Sequence, residues 1–98
     1  MEKTKLEKIK DFVKSDLLTQ KLKEKIKKDS EFKSNMVIQL QKKVLDNLNF
    51  NENQISNEFM TNIDRCNEIL RINNNSYDDM ALLEKMLLFL ENKTEREN

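Results

Sequence analysis

Apolar residues along the chain recur at steps of three and four, the period of a helix that buries one face. Leu6, Ile9, Val13 and Leu17 form the first stripe, with Phe12 beside them. Leu18, Leu22 and Ile26 form a second, displaced from the first. Ser15 and Asp16 lie between the two and are good N-caps. The spacing therefore predicts either two helices or one bent helix over about residues 3 to 28. Asp29 and Ser30 are the next cap candidates, ahead of Phe32, Met36, Leu40 and Val44, which stand four apart and are joined by Val37 and Leu48.

The stretch from Asn47 to Asn53 reads as a loop. Asn51, with Gln54 three residues on, resembles a capping box ahead of a stripe of Ile55, Phe59, Ile63, Cys66 and Leu70. Asn73, Asn74 and Asn75 end that helix. Ser76, followed by Tyr77, Asp78 and Asp79, starts the last one, because a hydroxyl cap and early carboxylates suit the positive helix end. Met80, Leu82, Leu83, Met86, Leu87, Leu88, Phe89 and Leu90 cover nearly the whole circumference of this helix. A helix apolar all round is buried on all sides, so it is expected to be either the central core element or a partner-facing surface. The fold class expected is all-α, a small bundle of four to five helices in one domain over residues 1–92, with a polar, frayed tail over 93–98. No heptad pattern persists long enough for a long coiled coil.

Composition strengthens the helical reading. The 98 residues include no Gly and no Pro, so nothing breaks a helix and the usual residue for positive-φ turns is missing. Asn, which tolerates the left-handed region at helix ends, is frequent instead. Hydrophobic and charged residues each make up 37%, against roughly 45–50% and 25% in average domains. The apolar supply suits either a small bundle or a subunit completed by its partner.

The net charge is zero but unevenly spread. Residues 1–50 carry 13 Lys and 8 acids, a balance of +5, while residues 51–98 carry 5 basic and 10 acidic residues, a balance of −5. This asymmetry fits a basic end that meets an acidic partner, or two sets of helices packed against each other. The run of Lys21, Lys23, Lys25, Lys27 and Lys28 could meet phosphates. It alternates around the helix, however, and no aromatics interleave for stacking, which disfavours nucleic acid as a partner.

The chemistry of catalysis is thin. His is absent, which removes the commonest general base and metal ligand. A single Cys without His builds no zinc site, and a chain without Gly has no phosphate-cradling loop. Cys66 sits on an apolar stripe and reads as a core residue. No enzyme activity, cofactor, metal or small-molecule substrate is expected. Neither a membrane-spanning run nor a signal-peptide core is present in the sequence, and the lone Cys excludes an internal disulfide. The expected setting is intracellular.

Ile9, Val13, Lys14-Ser15, Leu18, Leu22-Lys23, Ile26, Asp29 and Lys33 together resemble the opening of the Shg family. These are small helical subunits of the COMPASS histone methyltransferase complex, related to biorientation-defective proteins. Leu40-Gln41-Lys42-Lys43-Val44, Asn51-Glu52-Asn53-Gln54-Ile55, Ile63-Asp64-Arg65, Leu83-Glu84-Lys85 and Phe89-Leu90 extend the likeness. Leu17, Gln20 and Ser34 depart from it, where Gly, Asp and Pro are expected. Residues 40–50, 81–86 and 89–90 are also similar to the enhancer-of-yellow (Sus) family, short helical proteins that wrap a scaffold helix. Asn49-Phe50 replaces the Gly-Trp of that family. Both resemblances imply a nuclear adaptor subunit of a chromatin-modifying or transcription complex, built on a partner helix.

The expected function is therefore non-catalytic protein–protein interaction. The partner helix is expected to lie in an apolar groove lined by Phe32, Met36, Leu83, Leu87 and Leu90. A self-associating helical structural protein without a chromatin role is the alternative, and a lysine-rich nucleic-acid binder is a third.

Overall fold

A computed structural model of the chain describes residues 3–27, 34–48 and 51–96. It contains α1 (Lys5–Val13), α2 (Asp16–Lys27), α3 (Ser34–Asp46), a short 3-10 turn (Glu52–Gln54), α4 (Asn57–Leu70) and α5 (Tyr77–Arg96). The described residues include no strand. The fold is an all-α bundle.

Local side-chain chemistry sets most of the helix starts. Thr4 opens α1 with a capping box: the Glu7 N–H donates to Thr4 Oγ1 at 3.1 Å, and the Thr4 N–H reaches back to Glu7 Oε1 at 3.4 Å. The Leu17 N–H donates to Ser15 Oγ at 3.2 Å at the start of α2, so the first two stripes belong to separate helices. Ser76 starts α5 as its sequence suggests. The Asp79 N–H donates to Ser76 Oγ at 3.1 Å, and the Ser76 N–H donates to Asp79 Oδ2 at 3.4 Å. The helix begun there continues to Arg96, into the stretch that reads as a frayed tail.

One start lies elsewhere than the spacing suggests. Asn51 does cap, but only the 3-10 turn, where its side chain accepts the Asn53 N–H at 3.0 Å. Ile55 is extended (φ −89°, ψ 116°) and buried, and the real cap of α4 is Ser56, whose hydroxyl accepts the Phe59 N–H at 3.0 Å. The apolar step from Ile55 to Phe59 matches a helical step, yet a break lies inside it.

The helix ends use Asn differently from expectation. No described residue has positive φ, and the C-caps Lys14 and Arg71 stay right-handed. Asn side-chain amides act instead. Asn47 Nδ2 donates to the Lys43 carbonyl at 2.7 Å, and Asn75 Nδ2 donates to the Ile69 carbonyl at 3.1 Å. The Lys43 carbonyl is one that the last turn leaves open, whereas the Ile69 carbonyl also accepts the Ile72 N–H at 3.1 Å.

α3 and α5 form the centre of the bundle. α3 packs on α1, α2 and α5, while α5 packs on α2, α3 and α4, and α1 lies on α4. The core is one cluster drawn from all five helices, with Phe12, Leu18, Val44, Ile63, Leu83 and Leu90 among its fully buried members. Cys66 lies in it too. The buried face of α3 runs through Val37, Gln41 and Val44, with Leu48 buried just beyond the helix end, and Met36 and Leu40 are not part of it. That rotation leaves Met36 exposed and Leu40 half-buried at the edge. It is possible because Gln41 finds hydrogen-bond partners inside: its Nε2 donates to the Val13 carbonyl at 2.8 Å, and its Oε1 accepts the Thr19 hydroxyl at 2.7 Å. A buried amide so paired avoids the desolvation penalty that otherwise keeps polar groups out.

The charge asymmetry is resolved across helix interfaces. Lys8 of α1 pairs with Asp64 of α4 at 3.4 Å, Lys25 of α2 with Glu84 of α5 at 2.5 Å, and Lys43 of α3 with Glu91 of α5 at 3.6 Å. Lys5 and Lys21 donate to the Ile55 and Ile72 carbonyls, each at 2.8 Å. The basic and acidic halves therefore meet each other within the fold.

Candidate partner-binding groove

The rotation of α3 and the breadth of the apolar surface on α5 together create a groove. Leu22 of α2, Met36, Val37 and Leu40 of α3, and Glu84, Leu87 and Leu88 of α5 line a depression of about 200 Å³. Leu22, Val37 and Leu87 form a buried floor, with Leu87 only 1% exposed. Met36 at 55% and Leu88 at 46% exposure are its open walls. The lining is apolar apart from the Glu84 carboxylate, which is engaged by Lys25. The Lys25 ammonium also lies 5.9 Å from the centroid of the exposed Tyr77 ring.

The helix periodicity explains why these residues meet. Glu84, Leu87 and Leu88 are three and four positions apart and share one face of α5. Leu83, Met86, Leu87 and Leu90 are the buried part of that helix. Met80 and Leu82 are half-buried, while Leu88 and Phe89 emerge on either side. α5 is thus a central core element that also leaves apolar surface exposed.

Of the five residues expected in the groove, Met36 and Leu87 line it. Leu83 and Leu90 are fully buried in the chain's own core and do not. Phe32 lies outside the described residues. Leu22, Val37, Leu40 and Leu88 are lining residues that the sequence reading did not single out for the groove. The only signal for Leu88 was its place on a helix apolar all round. Leu22, Val37 and Leu40 gave none beyond their stripes.

A second, smaller depression of about 80 Å³ lies between the 3-10 turn and the α4–α5 interface, where Ile55, Phe59, Phe89 and Lys93 meet. The Phe59 and Phe89 rings are tilted by 38° with centroids 5.4 Å apart, a favourable aromatic arrangement.

Burial pushes the Cys66 thiol up to about 12, a shift that nearby Arg65 only partly opposes. The thiol is therefore protonated at neutral pH and a poor nucleophile. Among the described residues no group of three or more His, Cys, Asp or Glu could hold a metal ion, and no helix is long and apolar enough to cross a membrane.

Compared with known proteins, the chain matches no family model, no curated protein and no solved structure. The family resemblances stand on the residues quoted for them alone.

Proposed function

We propose that this chain is a non-catalytic interaction module that seats the apolar face of a partner helix in the groove between α2, α3 and α5. The observation that carries this reading is the pairing of a buried leucine and valine floor with walls, Met36 and Leu88, that are about half exposed. Grooves of this form receive amphipathic helices through residues spaced three and four apart. A flexible methionine at the wall adapts to the side chains it meets. The chromatin setting is part of the proposal and is supported by the two family resemblances.

The groove can be tested without disturbing the core. Met36→Glu and Leu88→Glu place charges on exposed walls, whereas Ile38→Glu does so at a position that does not line the groove. All three should fold, as read by helical circular dichroism. Affinity purification from the native cell should recover the same protein partner with the wild type and Ile38→Glu, and lose it with the two groove variants. Histone methyltransferase or deubiquitinase subunits in that set would support the chromatin setting. Equal recovery with all four proteins would overturn the groove reading. A melting temperature that rises with concentration in the wild type, and no longer does in Met36→Glu, would replace the foreign partner with a second copy.

A further inference from the structure

The corner between α1 and α2 has an unusual support. No Gly or Pro stands there, and Lys14 already holds right-handed helical dihedrals (φ −86°, ψ −2°). If the helix ran straight, the Leu17 N–H would donate to the Val13 carbonyl. Side chains hold both groups instead. The Leu17 N–H donates to Ser15 Oγ at 3.2 Å, and the Val13 carbonyl accepts Gln41 Nε2 at 2.8 Å. The same Nε2 lies 3.3 Å from the Ser15 carbonyl, and Gln41 Oε1 accepts the Thr19 hydroxyl at 2.7 Å. Gln41 is 6% exposed and is the one buried polar residue described. Its three hydrogen bonds all go to the corner and the first turn of α2. The bend is thus held from within by Ser15 and from outside by one side chain of α3, Gln41.

α1 rests on α4 and on the edge of α3. Ile9, Phe12 and Val13 are fully buried there, Lys8 pairs with Asp64, and Asn67 Nδ2 donates to the Lys8 carbonyl at 3.3 Å. We infer that the corner is a hinge clamped by Gln41, and that releasing the clamp lets α1 leave its own α4 and dock on α4 of a second copy. A continuous helix over residues 5–27 would be about 35 Å long at 1.5 Å per residue. That length carries Ile9, Phe12 and Val13 away from the core that covered them. The surface complementary to this arm is the one it left, and a second open copy presents the same surface. The exchanged contacts are those of the closed chain, so the hinge decides between the two states, as in domain swapping generally. The occupant of the vacated α4 face is therefore a second copy of this chain. The inference is independent of the α2–α3–α5 groove.

The test uses Gln41→Met, which keeps an unbranched side chain of similar length and removes the amide. Chains of normal and ¹⁵N-labelled protein are mixed, unfolded, refolded together at high concentration and separated by size with light scattering. A zero-length carbodiimide then joins Lys8 to Asp64, whose Nζ and Oδ1 lie 3.4 Å apart in the closed chain. Wild type should be mostly monomer, with linked peptides of a single isotope. Gln41→Met should be mostly dimer, with mixed-isotope Lys8–Asp64 links. Adding Ser15→Gly, which disfavours a continuous helix, should return that variant to monomer. If Gln41→Met lost its helical signal, Ser15→Ala would carry the same two readouts, with a smaller dimer fraction expected. A variant that stays monomeric, or a dimer whose Lys8–Asp64 links all carry one isotope, would overturn the inference.

Discussion

Two leucines on α5, five residues apart, should respond very differently to the same truncation. Leu83 is fully buried and Leu88 is 46% exposed. Leu83→Ala removes roughly three carbon groups from the core at about 0.8 kcal/mol each, and the cavity left behind adds to this. The total should be about 3–4 kcal/mol, within the range measured for buried Leu→Ala changes. A domain of this size has roughly 5–15 kcal/mol of stability, so the variant should still fold. Its melting temperature should fall by about 12–30 °C, at 4–8 °C per kcal/mol. Leu88→Ala leaves no enclosed cavity, and about half of its surface already meets water. Its cost should be about 1 kcal/mol or less. Urea titration followed by circular dichroism at 222 nm reads both, with unchanged slopes confirming that the denatured states are comparable. Similar midpoints for the two variants would mean that α5 does not present Leu83 inward and Leu88 outward, and the groove wall would fall with it.

Two further predictions come from ionisable groups. Cys66 should react with a thiol reagent at pH 8 at least tenfold more slowly in the native protein than in urea, because its buried thiol is held protonated; equal rates would place it outside the core. The hydrogen bond from Lys3, with Lys14 nearby, holds the Asp11 carboxyl below its ordinary value against a smaller opposing desolvation. A depressed carboxylate stabilises the fold above its unfolded-state pKa and loses that contribution as pH falls through the folded value. Asp11→Asn should therefore be less stable than wild type at pH 7, by up to about 1 kcal/mol for so open a pair. The gap should close as pH drops below 4, and a gap that persists at pH 2 would refute the ion-pair account.

Helicity and several helix boundaries were legible in the sequence because their causes are local. A chain without Gly or Pro and with apolar steps of three and four has little alternative to helices. Ser76 and Asp79 form their reciprocal cap within four residues of each other. The capping box of Thr4 and Glu7 is equally local and could have been read in the same way. Ser15 was legible as a cap, but not as proof of a break, since the spacing allowed a bent helix as well. The folded chain shows Ser15 capping α2, with Gln41 of α3 holding the Val13 carbonyl that a straight helix would have used.

The candidate groove was legible in part. The excess of apolar residues on α5 signalled that some of its surface would remain uncovered, but not which part. Periodicity fixes the angle between side chains around one helix and leaves the orientation of that helix to its neighbours. Leu83 and Leu90 therefore turned inward while Leu88 turned out. On α3, Val44 stayed buried while Met36 and Leu40 gave way to Val37 and the polar Gln41. Likewise, the opposite charges of the two halves were evident from composition, whereas their meeting as Lys8–Asp64, Lys25–Glu84 and Lys43–Glu91 required the packing of α1 on α4 and of α2 and α3 on α5. What the sequence determined by itself was the set of helices, through hydrogen bonds and steric limits spanning a few residues. The tertiary structure alone decided which faces are covered, because burial depends on residues far apart in the chain.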